Sequence, residues 1–163
     1  MGKFIENFKL VPCGVDIDFN TAASNLSDSI NMKNYHRATF LIQLADIGTA
    51  SPVLIVYSGA TDAACTSALK FRYAFGSAAA GSASCDVLTD WTECDTTGLT
   101  LTHGTYDNYL LVVEVEAAKM DVANGEEWLT LDFTDPGGAT GQAIVIAVLE
   151  PRYTGNQSAT ALA

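Results

Sequence analysis

The most constraining feature of this sequence is a strict alternation of apolar and polar residues in several segments. Residues 69–75, with the sequence LKFRYAF, place four large apolar side chains on one side and two cations, Lys70 and Arg72, on the other. Because successive side chains of a β-strand point to opposite faces, this period of two predicts a strand with one buried face. Residues 37–46 and 109–116 alternate in the same way and predict two long strands.

The whole chain is predicted to be all-β. Turn-forming residues separate roughly eight to ten predicted strands, and no segment has the pattern of a helix of about ten residues. Residues 142–150 are apolar on both faces, which predicts a central strand. Alternating strands need one buried and one open face, so we expect an antiparallel β-sandwich with a jelly-roll-like order, and a closed barrel is the alternative.

Three regions are predicted along the 163 residues. Residues 1–14 form an N-terminal arm, residues 15–153 form the sandwich, and residues 154–163 form a small, polar C-terminal tail. The arm is expected to dock on an apolar surface of its own domain or of a neighbour. Its candidate contact residues are Phe4, Ile5, Phe8 and Leu10.

The charge of the chain disfavours two classes of partner. Eight Lys and Arg stand against nineteen Asp and Glu, a net charge of −11. Binding to phosphates requires a basic patch, so neither a nucleic acid nor an anionic membrane surface is an expected partner. The N-terminal residues lack the apolar core of a signal peptide, so we expect the protein to be made in a cytoplasm.

Four cysteines, at positions 13, 65, 85 and 94, do not have metal-ligand spacing, and no C-x-x-C pair is present. Cys85 and Cys94 flank a short acidic segment, a spacing that is compatible with a disulfide. Four reduced thiols are the favoured alternative for a protein that stays in a cytoplasm.

The polar residues do not form a recognisable active site. His36 and His103 lie in no catalytic motif, and Glu114 and Glu116 on one strand face are more typical of a solvated surface. We therefore predict no catalytic residue, no cofactor and no metal site, and we do not expect an enzyme. A carbohydrate- or receptor-binding module is the alternative function, with Trp91 and Trp128 as its candidate contact residues.

The order of segments resembles that of small virion proteins of tailed bacteriophages. The resemblance covers about residues 28 to 155 and has no invariant catalytic motif. It lies in the segments SINMKNYHRATFLIQLADIGTASPVLIVYSGATDAACTSALKFRYAF, VLTDWTECD, NYLLVVEVEAAKMDVANGEEWLTLDF and GQAIVIAVLEPRYTGNQS.

This resemblance implies a capsid decoration, or cement, protein. Such a protein is a β-sandwich that binds the major capsid protein on the outer surface of the head, often as a homotrimer. The expected location is therefore the virion surface, after synthesis in the host cytoplasm. Lys70 and Arg72 are further candidates for contact with a partner subunit, beside the residues of the arm.

Overall fold

The computed structural model describes residues 3–20, 23–135, 137–153, 155 and 159–162. The described strands pair antiparallel and form two sheets, not a closed barrel, around one apolar core. The predicted antiparallel β-sandwich is therefore confirmed. The jelly-roll order of its strands stays a prediction.

The first sheet has the strand order β1-β12-β4-β10-β7-β8. Strands that are adjacent in this sheet are far apart in the sequence. For example, β1 pairs with β12, and β4 pairs with both β12 and β10. The strands are β1 (Lys9–Asp18), β4 (Tyr35–Leu44), β7 (Phe71–Phe75), β8 (Thr92–Cys94), β10 (Leu110–Glu116) and β12 (Gln142–Pro151).

The second sheet has the strand order β2-β11-β5-β6, with β3 also paired to β11 and β9 also paired to β5. Its long members β5 and β11 lie side by side over seven residue pairs. The strands are β2 (Ser24–Leu26), β3 (Ile30–Asn31), β5 (Val53–Gly59), β6 (Ser67–Leu69), β9 (Leu99–Thr100) and β11 (Trp128–Thr134).

Helical structure in the described residues is confined to short turns. The helix α1 spans Phe4–Asn7, and two 3₁₀ turns span Ala117–Lys119 and Val122–Asn124. The second turn ends at Gly125, whose φ of +77° suits glycine, which has no Cβ. Because β1 begins at Lys9, residues 9–14 belong to the sheet, whereas the sequence assigned them to the arm.

The core lies between the inner faces of the two sheets. Phe40 and Ile42 of β4 and Val113 of β10 are completely buried there. Phe19, just after β1, stacks on Phe133 of β11 with 5.4 Å between ring centroids, so aromatic packing joins the two sheets.

The segment 69–75 differs from its prediction. It is not one strand, because Leu69 ends β6 in the second sheet and Phe71 begins β7 in the first. The chain passes from one sheet to the other at Lys70, so Leu69 and Phe71 both enter the core from opposite sides. Lys70 and Arg72 therefore do not share one strand face.

The described part of the C-terminal tail packs on the second sheet. The backbone N–H of Asn31 in β3 donates to the carbonyl of Ala161 at 2.8 Å, and Ala161 is buried. Residues 154, 156–158 and 163 of the predicted tail, and residues 1 and 2 of the predicted arm, lie outside the described residues.

Candidate docking surface

The face of the first sheet that points away from the second sheet is named the open face here. It carries the outward side chains of β12, of which Ile144 and Ile146 are exposed. The sequence predicted that β12 is central because it is apolar on both sides. The strand is paired along both edges, with β1 and β4, and its outward Ile144 and Ile146 are exposed in the part of the chain that the structure describes.

Apolar side chains are concentrated on this face. Among the described residues, twelve large apolar side chains are exposed, and five of these line the open face. We name these five the open-face patch; their exposed fractions lie between 37% and 76%. They are Leu10, Val15, Leu41, Ile144 and Ile146. Clustered apolar exposure of this kind marks interaction sites, because isolated monomers rarely leave such patches uncovered.

Strand register explains why the patch is continuous. Ile146 lies between Pro12 of β1 and Leu41 of β4, and Leu41 lies beside Val112 of β10. Leu10 lies beside Val148 in the next outward row. The patch therefore crosses several strands as adjacent rows of side chains, although its members are distant in sequence.

One end of the patch forms a hollow of about 400 Å³. Val15 and Ile144 supply apolar walls, Gln43 lies beside Ile144 on β4, and Ala80 approaches from the loop after β7. The amide of Gln43 is held by hydrogen bonds to the carbonyls of Leu44 and Asn108, both at 3.0 Å. Asp16, Asn108 and Gln142 also line the hollow, so it offers polar groups beside its apolar walls.

The other end of the open face carries a charge cluster. Arg37 Nη2 donates to Glu150 Oε2 at 2.8 Å, and Arg37 Nη1 lies 3.3 Å from Glu114 Oε2. Arg72 donates to the other oxygen of the Glu114 carboxylate. The hydrogen bond to Glu150 raises the pKa of Arg37 above its usual value. Glu116 lies opposite Arg37 in the strand register, so two arginines and three glutamates lie together beside the patch.

The described arm residues directly precede the first strand of this sheet. The helix α1 leads directly into β1, the edge strand that contributes Leu10 to the patch. Phe4 and Ile5 are 53% and 67% exposed, and none of the four residues of α1 is buried. Phe8 is half-buried, and its ring centroid lies 5.1 Å from that of Phe4. The described arm therefore presents its apolar side chains instead of packing them on its own domain.

The outward face of the second sheet is built differently. Thr130 is buried there and shares a 2.7 Å hydrogen bond with Ser29, whose hydroxyl also accepts from the N–H of Ala63 in the loop after β5. Asp132 is buried and accepts from the Ser24 hydroxyl at 2.8 Å, and burial raises the pKa of its carboxyl. The outward side of β11 therefore carries polar side chains that are hydrogen-bonded within the chain, whereas β5 contributes the half-buried Ile55 and Tyr57 to the same face.

The predicted contact cations have partners within the chain. Lys70 Nζ lies 3.2 Å from Asp95 Oδ1, and Arg72 both pairs with Glu114 and covers the ring of Trp91, with 5.5 Å from its central carbon to the ring centroid. Both cations are therefore ion-paired within the chain, and their contact with a partner subunit stays a prediction.

The predicted carbohydrate residues are not brought together. Trp91 precedes β8 at the edge of the first sheet, whereas Trp128 begins β11 in the second sheet and is half-buried. They do not form one platform.

The structure offers no assembled catalytic set at the positions considered from sequence. Glu114 is engaged by two arginines, and His103 lies in a surface turn. His36 and Glu116 line a cleft of about 650 Å³ whose described lining contains no serine, threonine or cysteine nucleophile. In the described part of the chain, no group of three potential metal ligands is found, and no helix has the length and apolarity to cross a membrane.

All four cysteines lie in the described ranges and are free thiols. Cys94 pairs with Phe71, whereas the carbonyl of Cys85 lies beside Gly76, five residues farther along the chain. That separation is roughly 16 Å at the rise of a strand, and a disulfide requires Cα atoms less than about 7 Å apart. The structure therefore does not bring Cys85 and Cys94 together.

The thiols are expected to differ strongly in reactivity. Burial raises the pKa of Cys13 to about 12, and burial also raises the pKa of Cys65 and Cys94. A thiol reagent applied to the folded protein at pH 8 should modify the half-exposed Cys85 first and Cys13 only after unfolding, because the thiolate is the reactive form. A Cys85→Ser variant should lose the fast phase. Rapid modification of Cys13 in the native protein would contradict this assignment.

The described strands form an antiparallel β-sandwich whose first sheet exposes an apolar patch on its outward side. No family model matches this chain, and no curated protein or solved structure matches it.

The sequence missed most residues of the open-face patch. The sequence analysis placed four of its members only in strands or in the core: Val15, Leu41, Ile144 and Ile146. Alternation alone does not show which face of a strand a second sheet covers. Residues 142–150 did indicate a docking surface, because a strand that is apolar on both faces needs either two covering layers or a binding partner.

Proposed function

We propose that this protein is a non-enzymatic structural protein of a tailed-bacteriophage virion. It decorates the outer surface of the head by docking its open face and N-terminal arm on the major capsid protein. The observation that carries the proposal is the open-face patch, an exposed apolar surface with a hollow at one end. The assignment to a virion depends on the resemblance of the segment order to that of small virion proteins of tailed bacteriophages.

The composition of the open face suits docking on a protein. Its apolar centre supplies the area that loses water on binding, at about 25 cal/mol for each Å² that is buried. Arg37, Arg72, Glu114 and Glu150 at its border are already ion-paired within the chain, so docking does not leave these charges without a partner. The exposed Asp16 at the hollow would need a donor or a cation on the shell.

Decoration stabilises a shell by mass action. A protein that binds the assembled head and not its free subunits shifts the equilibrium toward the assembled state. A homotrimer presents three arms and three open faces, so its attachment is strengthened by multivalency, provided that all three reach the shell together. We propose the trimer as the working form, with the arm of each copy exposed for contact.

The arm provides a direct test. Full-length protein and a variant that lacks residues 1–8 are each expressed together with the major capsid protein encoded in the same genome, and shells are then isolated by sedimentation. We expect full-length protein on the shells and a fall of about tenfold or more in occupancy for the variant, since clustered apolar anchors dominate binding. The free energy of unfolding should change by less than about 0.5 kcal/mol, because surface changes cost little.

Substitutions separate the apolar character of the arm from its length. Phe4→Ser with Ile5→Ser should reduce occupancy, whereas Lys3→Ser, also exposed, should not. Unchanged occupancy without residues 1–8 would remove the arm from the proposal. Failure of the full-length protein to bind shells would refute the decoration function itself.

A further inference from the structure

A second surface feature lies apart from the residues of the open-face patch. An open cleft of about 510 Å³ occurs at the edge of the first sheet, where β7 ends and the chain continues toward β8. The end of β7, the segment that leads into β8 and the turn before β10 form the three sides of this cleft. Tyr73, Tyr106 and Tyr109 line it as half-buried residues.

Aromatic rings form the base of this cleft in a fixed arrangement. Phe75 is buried and stacks on Tyr106, with ring centroids 4.0 Å apart and planes 3° from parallel. Tyr109 meets Tyr106 edge to face at 5.9 Å, and Tyr73 meets Phe75 edge to face at 5.8 Å. The two edge-to-face contacts have a preferred geometry of aromatic pairs, whereas Phe75 and Tyr106 stack more closely than the usual separation of about 4.5–7 Å. The four rings therefore pack against one another before any ligand binds.

Polar groups surround the rings. The hydroxyls of Tyr106 and Tyr109 make no hydrogen bond to another described residue. Thr89 and Asp90 also line the cleft, and the Thr89 hydroxyl accepts from the N–H of Phe75 at 3.0 Å, which fixes that wall. The cleft therefore offers free donors and acceptors together with an exposed carboxylate.

The charges exclude one class of ligand. No Lys, Arg or His lies among the lining residues that the structure describes, whereas Asp90 contributes a negative charge. An anion such as a phosphate or an acidic sugar would meet repulsion there and would find no cation to pair with. A neutral ligand with hydroxyl groups meets no such cost.

We propose that this cleft binds a neutral saccharide. A pyranose ring has an apolar C–H face that packs on an aromatic ring, and its hydroxyls need both donors and acceptors at the edge. The tyrosine hydroxyls provide both functions, and Asp90 accepts from a sugar hydroxyl. The volume falls within the usual range of small-ligand sites, about 300–1,000 Å³, and suits one or two sugar rings.

This site replaces the tryptophan platform expected from sequence. One face of Trp91 is already covered by Arg72, and Trp128 lies in the other sheet. The cleft and the open-face patch have no residue in common. A copy of the protein that is docked on the head through its open face would therefore still be able to bind a saccharide.

The test uses the full-length protein and defined glycans. The protein is applied to an array of neutral hexose and N-acetylhexosamine glycans, with sialylated and sulfated glycans on the same surface. The strongest neutral glycan is then titrated in solution by calorimetry. We expect binding to neutral glycans, and we expect Asp90→Asn and Tyr106→Phe each to weaken it by about tenfold. Tyr106→Phe removes a hydroxyl, and Asp90→Asn replaces one charged acceptor oxygen by an amide N–H, while both keep the ring packing.

Tyr153→Phe is the matched control, since Tyr153 is exposed beyond the end of β12 and outside the cleft. Its affinity should equal that of the unchanged protein. The proposal is overturned by an array without neutral-glycan binding, by binding confined to acidic glycans, or by affinity that Asp90→Asn and Tyr106→Phe leave unchanged. Binding of tetramethylammonium without any glycan would also overturn it, because the rings would then act as a cage for cations.

Discussion

Replacing Ile144 and Ile146 together by aspartate should lower the affinity of the protein for shells by about 100-fold or more. Both side chains are exposed on the open face, and Ile144 also forms a wall of the hollow. Each substitution removes apolar area from the contact and places a carboxylate where docking would strip it of water. Sedimentation with shells across a range of protein concentrations measures the loss.

A matched control adds the same charge elsewhere. Val122→Asp with Tyr153→Asp places two carboxylates on exposed apolar positions that are not part of the open-face patch. This pair should bind shells as the unchanged protein does. Ile144→Thr with Ile146→Thr keeps β-branched residues in β12, so weaker binding by that pair reports on docking and not on strand stability. Full occupancy by the aspartate pair would show that the open face is not the docking surface.

Replacing Phe133 by alanine should destabilise the fold by about 3–5 kcal/mol, the usual cost of truncating a buried phenylalanine. Phe133 is completely buried in β11 and stacks on Phe19, which follows the edge strand of the other sheet. The substitution leaves a cavity and removes a contact between the two layers. Unfolding in urea, followed by circular dichroism, measures the free energy of unfolding.

Phe133→Leu separates the loss of volume from the loss of the aromatic ring that stacks on Phe19. Leucine fills most of the site, so its cost should stay below about 2 kcal/mol. Tyr57→Phe on the outward side of β5, which pairs with β11, serves as a surface control. If Phe133→Ala costs less than about 1 kcal/mol, the stacked pair is not a principal link between the sheets.

Local alternation predicted much of the architecture correctly. Residues 37–46, 109–116 and 142–150 fall on β4, β10 and β12, three neighbours in the first sheet. Their inward residues, such as Phe40 and Val113, are buried as the pattern required. These strands are long enough for the period of two to be read without knowledge of their partners.

The failures arose where distant segments decide the outcome. The crossing at Lys70 divides a segment whose alternation is unbroken, since Leu69 pairs with Val56 and Phe71 pairs with Cys94. The tyrosine cleft has the same origin. Tyr73 and Tyr106 are 33 positions apart in the sequence. They line one cleft only because the turn before β10 reaches the end of β7.

The sequence by itself determined that this chain forms antiparallel strands with apolar inner faces, because the period of two is a local property of the backbone. Only the tertiary structure decided which apolar faces remain uncovered. A second sheet covers one side of β12 and leaves Ile144 and Ile146 exposed on the other. Coverage depends on how two sheets stack across the core, and no stretch of neighbouring residues records that arrangement.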